Sequence, residues 1–292
     1  MDVLRTPAHR FADLPDFPWE PKYLEDVGPV RVAVIDEGPE HAEHTFLCLH
    51  GEPSWSFLYR KMIPVFLESG ARVVAPDLVG FGRSDKPVDD AFYSFAMHRE
   101  TLIALVEHLD LKNVTLVCQD WGGLLGLTLP PHMPERFSRL LVMNTGLAVG
   151  VPPSKGFLQW RKYVQANPDF DVGALMRRSE PGLTDAEVAA YEAPFPTVDH
   201  KAGVRTFPLL VPIAPDDPGA ALSREAAAWW NQSWSGSTFM AVGVNDPVLG
   251  PPVMKVLQSI IKECPEPMLV DAGHFVQEQG ESVARAALEA WA

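Results

Sequence analysis

The feature that most constrains this chain is an alternation of short apolar runs with helically spaced segments, broken once. Val30–Ile35, Thr45–Leu49, Ala71–Ala75, Val114–Val117 and Arg139–Met143 read as strands. Between them, Ser56–Glu68, Phe95–Leu109 and Gly122–Leu129 carry apolar residues at helical spacing. Parallel strands need a crossover, and a helix supplies it, so this alternation specifies an α/β fold: a mostly parallel sheet flanked by helices. After Asn144 the pattern stops. Residues 146–218 are rich in Pro, Trp and Phe and hold short amphipathic pieces without a strong strand. Alternation resumes with Thr238–Val242, Val253–Ile261, Met268–Val270 and Val276–Trp291. We therefore expect a core domain formed by 1–145 and 219–292, with 146–218 as an inserted helical cap. Such a cap would lie over the carboxyl ends of the strands, where open α/β sheets bind ligands.

Charge and cysteine usage narrow the partners. With 24 basic against 38 acidic residues the formal net charge is −14, which repels phosphate backbones and anionic lipid. Neither nucleic acid nor a membrane is an expected partner, and a monomer is the expected state. No apolar run is long enough to span a bilayer, and Met1–Arg10 holds Asp2, Arg5 and His9 rather than a secretory apolar stretch. Cys48, Cys118 and Cys264 are too scattered for a disulfide framework or a zinc pattern, which fits a reducing, cytoplasmic setting. His41 and His44 have no third ligand nearby, so no metal is expected.

Four motifs carry the chemistry, each at the carboxyl end of an expected strand. In Val117-Cys118-Gln119-Asp120-Trp121-Gly122-Gly123 a strand runs directly into a helix, with small residues around Asp120. That is the pattern of a nucleophile elbow, a sharp turn that lifts its central side chain above the sheet. His50-Gly51-Glu52-Pro53 follows an apolar strand, where a loop can donate an oxyanion-hole N–H. Here the two donors would be the backbone N–H groups of Glu52 and Trp121. Asn245-Asp246-Pro247 supplies an acid, and Asp271-Ala272-Gly273-His274-Phe275 supplies a histidine. Each motif alone is an ordinary turn. Together they fall in the order nucleophile, acid, histidine, which is that of the α/β-hydrolase fold. The position after Arg139–Met143 holds Asn144 rather than an acid, which leaves Asp246 to orient the histidine.

An aspartate at the elbow selects the reaction. A carboxylate that displaces a leaving group from saturated carbon leaves an ester, and activated water can hydrolyse it; a serine would leave an inert ether. Haloalkanes, epoxides and haloacids are therefore the candidate substrates. The segments HGEPSW from His50, CQDWGG from Cys118, NDPVLGP from Asn245 and DAGHF from Asp271 resemble the haloalkane dehalogenases. The likeness extends over the whole chain and is closest to the subfamily acting on 1,2-dichloroethane. It implies Asp120 as nucleophile, His274 as base, Asp246 as the His-orienting acid, and the Trp121 and Trp160 indoles as halide ligands. It also implies a small pocket lined by Phe157, Phe207, Pro208, Val211, Leu124, Val248 and Leu249. No cofactor is implied; the partners are a small haloalkane, halide and water. An epoxide hydrolase is the nearest alternative. It would use cap tyrosines, and only Tyr163 and Tyr191 lie in 146–218.

Overall fold

The computed structural model describes residues 2–292. Its main sheet has eight strands in the order β10-β9-β8-β7-β4-β5-β3-β2. These are β2 (Lys22–Leu24), β3 (Val32–Glu37), β4 (Thr45–Leu49), β5 (Arg72–Pro76), β7 (Val114–Cys118), β8 (Phe137–Met143), β9 (Ser237–Gly243) and β10 (Met268–Val270). All neighbours from β10 across to β5 run parallel, while β3 and β2 are antiparallel to theirs. A separate two-stranded pair joins β1 (Val3–Leu4) to β6 (Lys86–Pro87).

The central strands β4, β5 and β7 are buried along their whole length, which is why they read as unbroken apolar runs rather than as alternating ones. Flanking helices cover them: α1 (Ile63–Glu68), α2 (Phe95–His108), α3 (Asp120–Gly126), α9 (Pro251–Ile260) and α10 (Gly280–Ala290). Two details depart from the sequence expectation. Ser56–Glu68 is not one helix but a 3₁₀ turn, Ser56–Tyr59, followed by α1, which starts with Pro64 in its first turn. Proline is tolerated there because its missing N–H has no partner in a first turn, but it cannot continue a helix from upstream. Strand β2 escapes the sequence pattern because Lys22 and Tyr23 are exposed, so no apolar run marks it.

Between β8 and β9 the chain forms five α-helices, one 3₁₀ turn (Val198–Lys201) and no strand: α4 (Lys155–Ala166), α5 (Val172–Ser179), α6 (Asp185–Glu192), α7 (Ala202–Leu210) and α8 (Ala220–Gln232). Helix α5 packs on α6, and α4 on α7. The α6 segment is tied to the core by buried polar contacts. Arg60, fully buried, donates to both Glu278 carboxylate oxygens at 2.7 Å and to Glu187 of α6 at 2.6 Å, beside the Tyr191 hydroxyl. The Trp55 indole donates to the Ala190 carbonyl, and Arg10 to that of Ala193. Helix α4 has no such seat. Phe157, Trp160, Arg161 and Val164 form one stripe, and only Val164 is fully buried.

Candidate active site

Asp120 sits at the junction of β7 and α3 with a backbone φ of +47°, a region that L residues rarely adopt. The corner is held by close packing of α3 on β4. A Cβ on Gly122 would stand 1.9 Å from the Leu49 carbonyl oxygen, so only glycine fits one turn from the elbow. The Asp120 N–H donates to the Asn144 carbonyl at the end of β8, and the Thr145 hydroxyl donates to the Asp120 carbonyl. Strain at residue 120 is thus fixed from both neighbouring strands.

The four motifs meet above the sheet. The Glu52 N–H donates to Asp120 Oδ1 at 2.8 Å. Asp120 Oδ2 lies 3.7 Å from His274 Nε2, and His274 Nδ1 is 2.8 Å from Asp246 Oδ2. That chain of contacts sets the tautomer: Nδ1–H donates to Asp246, leaving Nε2 with its lone pair. Burial alone would raise the Asp246 carboxyl; its bond to His274, with Asn144 and the Val248 N–H, holds it down to about 2. Burial works against charge on His274, but the bond and charge of Asp246, then Asp120, outweigh it and raise its pKa. Burial lifts the Asp120 pKa, opposed by His274 and by the backbone N–H groups of Glu52 and Trp121. The Glu52 side chain is also buried in this cluster. Desolvation and the charge of Asp120 push its carboxyl well up, and its Oε1 has no partner.

Asp120, Trp121, Asp246 and His274 border a cavity of about 670 Å³. Its remaining wall is mostly apolar and includes Leu124, Phe157, Trp160, Pro208, Val211, Val248 and Leu249, with Ser154, Arg178, Ser179 and Asn245 also bordering it. The Trp121 and Trp160 indoles both line it. Among the described residues neither indole N–H meets an acceptor, whereas those of Trp55, Trp230 and Trp234 each donate to a protein oxygen. Among the described residues no group of three or more His, Cys, Asp and Glu side chains is arranged to hold a metal ion.

Residues 44–281 match the profile of the α/β-hydrolase fold family. Over 98% of its length the chain is 43% identical to a haloalkane dehalogenase of Psychrobacter cryohalolentis, of which the match covers 96%. It is 40% identical to a haloalkane dehalogenase of Mycolicibacterium paratuberculosis, over 95% of this chain and 94% of that one. The chain belongs to the haloalkane dehalogenases.

A solved member of the family, haloalkane dehalogenase DpaA from Paraglaciecola agarilytica, matches with a TM-score of 0.97 at 50% identity, over 99% of this chain and 98% of that one. That dehalogenase is described as tetrameric, which does not fit the expectation of a monomer. One residue of the expected pocket is elsewhere. Phe207 does not reach the cavity: it is fully buried behind Trp121, with ring centroids 4.4 Å apart, and packs on Phe81 and His98. Helix α7 turns Pro208 and Val211 to the cavity instead.

Two polar residues of the site had no role in the sequence reading. Asn144 donates to Asp246 Oδ2 and to the Gly243 carbonyl, both at 3.0 Å, and accepts the Gly243 N–H. It braces the acid from the neighbouring strand. Gln119, fully buried, places its amide nitrogen 2.9 Å from His274 Nε2 and 3.1 Å from the His274 carbonyl. An amide donor there fits the neutral ring. For Asn144 the signal was present: it occupies the very position considered for the acid. Nothing in the spacing marked Gln119.

Proposed function

We propose that this dehalogenase cleaves carbon–halogen bonds of haloalkanes through a covalent ester on Asp120. One observation carries the reading: Asp120 has one oxygen held by the Glu52 N–H at 2.8 Å and the other facing the His274 ring at 3.7 Å, at the floor of an apolar cavity. The free oxygen, Oδ2, attacks the halogen-bearing carbon in line, forming a C–O bond as the halide leaves with the C–halogen pair. The indole N–H groups of Trp121 and Trp160 receive the halide. As neutral donors they stabilise it without trapping it. His274 Nε2 then takes a proton from water, whose oxygen bonds to the ester carbonyl carbon. The negative charge that develops on Oδ1 falls on the Glu52 and Trp121 N–H groups. On collapse the Oδ1 pair re-forms the carbonyl, the alkoxide oxygen leaves with the proton from His274 Nε2 as the alcohol, and the acid left on Asp120 loses its proton to solvent. Asp246 holds the histidine throughout. Residues 146–218 act as the cap, and Leu124, Phe157, Pro208, Val211, Val248 and Leu249 exclude water from the reacting carbon.

An epoxide hydrolase built on the same triad would need a tyrosine over the cavity. Tyr191 is fully buried with its hydroxyl on Glu278, and Tyr163 is exposed; neither lines the cavity. We place the protein in the cytoplasm as a soluble enzyme, since Cys48, Cys118 and Cys264 are all free and no helix is long and apolar enough to cross a membrane. By its likeness to DpaA we take it to assemble with copies of itself.

His274→Gln tests the mechanism. With 1,2-dibromoethane this variant should release one halide per chain and then stop, because a positioned base is worth on the order of 10²–10⁴ in the second step. Mass spectrometry should find the alkyl adduct on Asp120. An unmodified Asp120 would overturn the reading.

A further inference from the structure

The loop that carries His274 touches a carboxylate no motif foretells. Glu180 follows α5, in the helical insertion, and lies against the backbone of that loop. A Cβ on Gly273 would meet Glu180 Oε1 at 2.9 Å and the Ser179 carbonyl at 3.1 Å. The insertion thus rests close on the backbone just before His274, near enough that a side chain there would press on it. Glu180 Oε1 is buried without a hydrogen-bond partner, and the carboxylate faces the Phe275 N–H on the other side of His274.

We propose that Glu180 is a positioning residue for His274: seated on the Gly273–Phe275 backbone, its carboxylate stabilises the imidazolium formed when His274 takes a proton from the hydrolytic water. The inference rests on the reading of His274 as base. In the step concerned, the water O–H bond breaks and its proton goes to Nε2. The oxygen bonds to the ester carbonyl carbon, and the π pair moves to Oδ1. Positive charge appears on the ring alone, so a carboxylate beside it acts on this step and not on halide displacement.

The surroundings make this a graded effect. Burial raises the Glu180 carboxyl to about 7, against the pull of the Phe275 N–H; Glu278 adds to the rise, while His274 and Lys61 oppose it. Glu278 is itself neutralised by Arg60 and Lys61, so its repulsion is damped. Glu180 is thus part-ionised around neutrality, where His274, itself raised, gives up its proton, and fully ionised on the alkaline side. Its charge in turn raises the His274 pKa. The same shift has a cost. An acid whose folded pKa lies above its unfolded value of about 4 gives stability that is full below that value and lost as pH rises through about 7.

Glu180→Gln separates the two effects. Its acid limb of kcat, set by deprotonation of His274, should move to lower pH by about half a unit. Hydrolysis of the ester should slow a few-fold, with the single-turnover halide burst unchanged. Its melting temperature above pH 7 should equal or exceed that of the wild type. Glu180→Asp keeps the charge and should keep the wild-type acid limb. If Glu180→Gln leaves the acid limb and the hydrolysis rate untouched, or if Asp moves the limb as far as Gln does, the proposal fails. His274→Gln run alongside distinguishes the two readings. An ester that accumulates there, with a silent Glu180→Gln, rejects Glu180 alone; no ester rejects the base.

Discussion

The two sides of the cavity are built differently. Floor and α5 side are anchored: Asp120, Asp246 and His274 follow strand ends, and α5, which lines the cavity with Leu175, Arg178 and Ser179, packs on α6, itself fastened through Glu187 to Arg60 and so to Glu278. The α4 side is nearly free. Of its twelve residues only Val164 is buried, and its Arg161 reaches no further than the Val211 carbonyl, within the same insertion. Phe157 and Trp160, which face the cavity from α4, are half-buried. The nucleophile, its base and the acid therefore sit on the anchored side, while Trp160, the second halide donor, sits on the other. Groups that bound the substrate's path sit on a helix held mainly by one stripe.

Substitutions can break that contrast. The largest loss should come from the floor: Asp120→Ala should lower halide release by a factor on the order of 10⁴ or more, measured with a halide-sensitive dye, because no other group can open the bond. Next comes the α6 seat. Arg60→Met removes the bidentate partner of the buried Glu278, leaving it Lys61 and the Tyr191 hydroxyl, and takes Glu187 off the core; it should cost about 3 kcal/mol in urea unfolding. Arg161→Ala on α4 should cost under about 1 kcal/mol. Equal costs for these two would show that α4 is as firmly held as α6. Halide binding tests the same contrast by another route. Trp160→Phe removes one of two donors to the halide and should weaken bromide quenching of tryptophan fluorescence about tenfold. Trp121→Phe, altering the fixed side, should weaken it more.

What the sequence made legible follows the same division. Strands β4, β7 and β9, and the turns after them, were readable because a buried parallel strand must be apolar and the residue leaving it must turn. Asp120 and Asp246 stand at such exits; His274 follows the short, part-exposed β10 and was readable from its place in the order of the motifs. Trp160 could be placed on the cavity only through the resemblance to the haloalkane dehalogenases; in the structure it lines the cavity beside Phe157. Phe207 and Pro208 are adjacent on α7 yet face opposite ways, and only packing decides which one meets the cavity. Gln119 and Glu180 act on His274 from 155 and 94 positions away, through contacts that no local pattern encodes. Glu180 in particular reads in sequence as one more charge on an acidic surface.

Fastening α6 with ions rather than with oil has a thermal consequence. Warming lowers the free energy needed to strip water from charged groups, while the return on apolar contact levels off. The Arg60 clasp therefore gains on the α4 stripe as temperature climbs. On heating, the edge of the insertion that carries Trp160 should therefore lose its structure before the edge next to Glu180 does.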